Sequence, residues 1–158
     1  MKASAVGFAV LIAAAQGVAA TRAQAEGWDM PTAYPATNYH TETAVAFAAC
    51  VKGATAGKLD VTVHPNGALF KGNDIKRAVQ TGQAPIGERL ISAHANENPL
   101  FGIDSIPFLA SSFDASEKLW SAARPELEKL LASQNLVYVY AVPWPPQGLY
   151  TKKPVTTV

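Results

Sequence analysis

Glu88 and Arg89 stand side by side in the stretch GQAPIGERLIS, whose other residues are mostly small or apolar. A charge pair in such a run has two readings. It is a surface pair or an internal salt bridge, or one member points into a crevice and binds ligand hydroxyls or an amine. Upstream, the segment PATNYH follows Tyr34 and brings Asn38, Tyr39 and His40 close together; their alternative role is to cap and pack on the helix that follows. In the tail, Trp144 and Tyr150 offer ring walls or ordinary packing, and the Gln147 amide can both donate and accept. These residues suit the binding of a small polar molecule. They do not form a catalytic set: no G-x-S-x-G elbow occurs, and Ser92 two residues before His94 is adjacency without a triad. His64 and His94 have no metal-ligand spacing with another His, Cys or carboxylate, and Asn66-Gly67 lacks the rest of a phosphate-binding loop. The reading is a binding protein, not an enzyme, with no cofactor and no metal.

The elements that must position these residues alternate along the chain. Trp28 to Tyr34 reads as extended, and Thr41 to Lys52 as a helix with Ala44, Phe47, Ala48 and Val51 on one face. Leu59, Val61 and Val63 alternate with Asp60, Thr62 and His64, a half-buried strand that Pro65 ends. Asn73 or Asp74 can cap a short helix to Gln80, with Ile75, Ala78 and Val79 inward and Gly82 as its stop. Lys71, Lys76 and Arg77 fall on what reads as its solvated face, so Lys76→Ala is expected to leave binding almost unchanged. Ala84 to Ile91 reads as a third strand. Two helical pieces follow, Asp114 to Ala122 and Pro125 to Leu131, and then a fourth strand from Leu136 to Val142, apolar enough to be covered on both faces. This order is that of an α/β layer with a mainly parallel sheet flanked by helices. Ligands of such sheets collect beyond the carboxyl ends of the strands. The expected site is therefore built from Tyr34, Asn38, His40, Glu88, Arg89, Trp144, Gln147 and Tyr150.

The chain has 158 residues with 13 basic and 12 acidic side chains. Met1 and Lys2 lead into an apolar run from Ala5 to Ala15, and Ala23-Gln24-Ala25 has the small-x-small form of a signal cleavage site. Residues 1–25 read as an export signal, a retained anchor being the alternative, and the exported protein is expected to begin at Glu26. Losing Lys2 and Arg22 leaves 11 basic against 12 acidic residues. That balance argues against a nucleic-acid partner, which requires a dense basic patch. The lone Cys50 has no internal partner; with Phe47 and Val51 near it, it reads as a small buried apolar side chain.

The run GKLDVTVHPNGALFKGNDIKRAVQTG contains a P-x-G-x-L turn after a strand and a short helix closing on Q-x-G. Pro107-Phe108 follows about 25 residues later, then W-x-x-x-G at Trp144 to Gly148 and K-K-P-V at Lys152 to Val155. Together these resemble the N-terminal half of the extracytoplasmic solute receptors of tripartite ATP-independent periplasmic (TRAP) transporters, the DctP type. The resemblance covers residues 28 to 158. It implies two α/β lobes closing on a small organic acid, membrane permease subunits as partners and a periplasmic location. On that pattern residues 26–142 are the first lobe and residues 143–158 begin the crossing to a second lobe absent from this sequence. The arginine that many members carry shortly after the tryptophan is replaced here by Gln147, beside Gly148. The resemblance therefore implies either a fragment of a receptor or a shortened product with impaired binding. Outside that family, the alternative is an exported single-lobe interaction module that docks without capturing a ligand.

Overall fold

A computed structural model describes residues 25–148 and 151–154. Residues 1–24 of the export segment, Leu149, Tyr150 and the last four residues lie outside the described residues. The alternation of Leu59, Val61 and Val63 produces the expected strand, β2 (Leu59–His64), which pairs in parallel with β1 (Glu26–Pro31) from Glu26↔Leu59 to Pro31↔His64. The connection between them is α1 (Tyr39–Ala54), which starts two residues earlier than its apolar face, because the Asn38 side chain accepts from the His40 N–H and so satisfies the first turn. Ala44 and Ala48 on α1 pack with Met30, Val61 and Ile86 in the first core; Phe47, Val51 and Tyr140 lie against it. Small side chains there let the helix approach the sheet closely.

Asn66 and Gly67 both take left-handed backbone angles after Pro65. In that turn the Asn66 N–H donates to the Tyr34 carbonyl and the Gly67 N–H to the Thr32 carbonyl. The turn after β2 thus fixes the loop after β1, which carries Tyr34.

The third strand is reduced to a single parallel bridge, Thr32↔Glu88, in which the Glu88 N–H donates to the Pro31 carbonyl. A proline explains the shortfall. Pro31 has no N–H to return on the side of β1 that faces this segment. Close packing still holds the segment in place: a Cβ at Gly87 would lie 2.7 Å from Ile75 Cγ2 on α2 (Ile75–Gln80). Only glycine lets this segment lie on the helix.

Four further expectations need correction. The two helical pieces are one helix, α3 (Phe113–Ser133), capped by Ser112, with Pro125 inside it. Proline removes one ladder bond, and the remaining turns and the buried Leu127 and Leu131 carry the helix through. Residues 136–142 form no ladder. Leu136, Tyr138 and Tyr140 pack inward across both cores, whereas Val137 and Val139 are exposed, at 88% and 53%, so one face and not two is covered. Cys50 is exposed, because it is two residues from Ala48 and so about 200° round the helix from the buried face.

Lys76 is the fourth. It is buried, ion-paired with Glu97 and placed over the Phe101 ring at 5.3 Å. Glu97 also bonds His94 Nδ1 at 2.9 Å, and the Lys76 hydrogen bond, followed by His94, holds its carboxyl below the ordinary range. Lys76 therefore ties α2 to the three-ten turns Ile91–His94 and Pro99–Ser105. Lys76→Ala is expected to cost about 1 to 3 kcal/mol, read as a lower urea midpoint, instead of the negligible effect of a solvated lysine. The expected depressed pKa of Glu97 makes this contribution present above the ordinary carboxylate value of 4.5 and lost as pH falls through the folded value. A midpoint equal to that of the parent near neutral pH would show that the ion pair holds nothing together.

Candidate functional site

At the carboxyl ends of β1 and β2 the first loop, the entry of α1, the Glu88 bridge and the start of the tail converge. His40 sits at their centre and is 1% exposed. Its ring stacks at 4.2 Å from the Trp144 ring and 4.1 Å from Tyr39, both tilted, and lies 5.3 Å from Tyr34. Trp144 in turn meets Tyr34 and Tyr39 edge-on at 5.4 and 5.8 Å. Four aromatic rings so arranged give a firm apolar wall. The Tyr39 hydroxyl donates to the Pro143 carbonyl at 2.9 Å, which ties the tail to α1 across 104 residues of sequence.

The polar side of this cluster is Glu88. Its Oε1 is 3.8 Å from His40 Nδ1, beyond hydrogen-bond reach. Burial raises the Glu88 carboxyl from its ordinary 4.5 to about 7, partly countered by the neighbouring Arg89. Burial also lowers the His40 imidazole from its ordinary value. Both effects favour neutral groups, so the 3.8 Å approach is a contact of two desolvated side chains and not an established ion pair. The Tyr34 hydroxyl accepts from the Leu90 N–H at 3.0 Å; burial, then the Glu88 charge, raises its pKa. Arg89 does not pair with Glu88. It reaches Asn73 Oδ1 at 3.0 Å and passes over Gly72, where a Cβ would lie 3.2 Å from Ala33 Cβ.

Several buried polar atoms in this region have no partner: both ring nitrogens of His40, Glu88 Oε2, Arg89 Nε and the Tyr140 hydroxyl. Buried polar groups in proteins are nearly always bonded. These unpartnered atoms are concentrated beside one aromatic wall.

Of the residues expected from sequence, Tyr34, His40, Glu88 and Trp144 are brought together and Arg89 is adjacent. Asn38 is the cap of α1. Gln147 is exposed, and its amide donates to the Pro145 carbonyl at 2.9 Å without a hydrogen bond to the cluster. Tyr150 falls outside the described residues. Sequence reasoning missed Tyr140, which lies against Phe47 at 4.9 Å and whose hydroxyl is raised to about 12 by burial and then by the Glu88 charge. Its signal was a phenol on the inward register of an apolar run, alternating with exposed valines.

The family model for bacterial extracellular solute-binding proteins of family 7, DctP, matches residues 31–151. The chain belongs to the DctP family. Members of this family are transport solute-binding proteins, not enzymes. Among solved DctP-type structures, a TRAP solute-binding protein from a marine metagenome, of an unidentified microbe, is 60% identical with a TM-score of 0.82. It is specific for pyroglutamate and was crystallised with co-purified pyroglutamate; the match covers 84% of this chain and 44% of that one. An extracytoplasmic solute receptor of Bordetella pertussis that binds pyroglutamic acid is 56% identical, with a TM-score of 0.80 over 83% of this chain and 44% of its own. A Sulfitobacter TRAP solute-binding protein with bound β-D-galacturonate, 19% identical at a TM-score of 0.63 over 69% of this chain and 37% of its own, shares the fold. This DctP chain spans less than half the length of these receptors, and its α/β layer is that of their first lobe.

Proposed function

We propose that the chain is the first lobe of an extracytoplasmic solute receptor of a TRAP transporter and supplies one wall of a site for a small cyclic carboxylic acid of the pyroglutamate type. The observation that carries this reading is the set of unpartnered buried polar atoms on His40, Glu88, Arg89 and Tyr140, beside the Trp144 and Tyr34 rings, at the end of the sheet where α/β folds collect ligands. The ligands of receptors 60% and 56% identical give the chemical class. On this reading residues 26–142 are the lobe, residues 143–158 begin the crossing, and a second lobe supplies the remaining contacts. Residues 1–25 direct export to the periplasm with cleavage after Ala25, and the loaded receptor delivers its acid to membrane permease subunits.

The test is ligand-dependent thermal stabilisation of the processed chain by pyroglutamate, with succinate and glucose for comparison. A ligand at 100 times its dissociation constant stabilises the folded state by about 2.7 kcal/mol, which raises the midpoint. Trp144→Ala removes the ring that covers His40 and is expected to weaken pyroglutamate binding roughly tenfold while the fold persists, since Trp144 lies on the tail and outside both cores. If no acid raises the midpoint, the chain does not capture ligand by this lobe and the interaction-module reading takes its place.

A further inference from the structure

The Glu88 carboxyl is the most informative group in the cluster, because burying an acid with one oxygen unpartnered is costly unless something pairs with it. The charge of the expected ligand narrows what that partner is. A second carboxylate against the ionised Glu88 adds like-charge repulsion in a desolvated site, whereas a donor on Oε2 favours the ionised form. A hydrogen-bond donor is therefore the partner that keeps Glu88 an acceptor. We propose that Glu88, backed by the buried His40 ring, is the acceptor that selects ring acids bearing an N–H, so that this site discriminates a lactam from its oxygen counterpart.

Three features of the structure fit this role. The Glu88 backbone is fixed to β1 by its bond to Pro31, so the carboxyl has a defined position. His40, 1% exposed, has no hydrogen-bond partner at either nitrogen and stands 3.8 Å from the other Glu88 oxygen. The Trp144 ring, 4.2 Å from His40, supplies the apolar side of the cluster. Arg89, with its own Nε unpartnered, lies next in the chain and is suited to an oxygen acceptor. The inference rests on the receptor reading above and deepens it.

The test is a nuclear magnetic resonance titration of the processed chain with pyroglutamate and with the lactone in which the ring N–H is replaced by oxygen, following the Trp144 indole and His40 imidazole signals. A site built to accept from a donor rejects an analogue lacking it, so the lactam is expected to bind about tenfold or more tightly than the lactone. Glu88→Gln keeps an accepting oxygen and is expected to retain the preference, whereas Glu88→Leu is expected to abolish it. Equal binding of lactam and lactone by the parent, or a preference that survives Glu88→Leu, overturns the inference and leaves the receptor reading standing. Should Glu88→Leu fail to fold, the comparison on the parent decides alone. Absence of any signal change with either acid overturns the receptor reading and the inference together.

Discussion

At about pH 8 the Glu88→Gln chain is expected to be more stable than the parent by up to about 3 kcal/mol, and at about pH 4 the two should be equal. The cause is the desolvation of Glu88, which raises its carboxyl from 4.5 to about 7 in the folded chain. Between these values the folded state holds a proton that the unfolded state has released. The stability contributed by the group is therefore full below about 4.5 and is lost as pH rises through about 7, where the chain must bury a charge. Glutamine is neutral throughout and escapes that loss. His40 acts with the opposite sign, since burial lowers its pKa and its contribution is lost as pH falls below its ordinary 6.5, but it is present in both chains and largely cancels from their difference. Urea unfolding of both proteins across this range gives the answer. A difference that does not vary with pH would mean that Glu88 is ionised and solvated in the folded chain, and the case for a buried acceptor would go with it. A ligand that donates to Glu88 should favour its charged form and reduce the gap, which separates a site carboxylate from one that is merely misplaced.

Phe101→Ala should lower stability by about 3 to 5 kcal/mol. Phe101 is 1% exposed and forms the second core with Leu127 and Leu131 of α3; Leu100, Trp120, Leu136 and Tyr138 lie against it. Removing the ring leaves a cavity that a turn anchored by the Asn98 cap and by Lys76 cannot readily fill. Total stabilities of such domains are about 5 to 15 kcal/mol, so the loss is a large share of the whole. The expected result is a much lower urea midpoint with an unchanged slope. A loss under about 1 kcal/mol would show that the second core relaxes around the gap or contributes little. The prediction also reaches the site, because the same core holds the segment that follows Glu88 and Arg89.

The parallel pairing of β1 with β2, the helix between them and the turn at Pro65 to Gly67 were legible from the sequence because each rests on local rules: alternation of period two, an apolar stripe of period 3.6, a proline that ends a ladder and residues that tolerate left-handed angles. The family was legible for a related reason, since short motifs at set spacings survive in one dimension. The same local reading named Tyr34, His40, Glu88 and Trp144, as rare side chains in the loops beyond the strands.

Tertiary structure decided what those side chains do. Ala84 to Ile91 has the composition of a strand, yet a strand needs donors on its neighbour, and Pro31 withholds one. Lys76 looks solvated on its own helix, but its burial is determined by Glu97 and Phe101, both more than 20 residues away. Tyr140 joined the candidate cluster only when an extended segment without a ladder placed its hydroxyl near Glu88. Gln147 looked like the best replacement for an arginine, and its amide turned back onto its own backbone. Sequence by itself therefore determined the family, the first α/β unit and the residue types available for binding. Which polar atoms are buried without partners was decided by packing, because desolvation is a property of what surrounds a group and not of its neighbours in the chain.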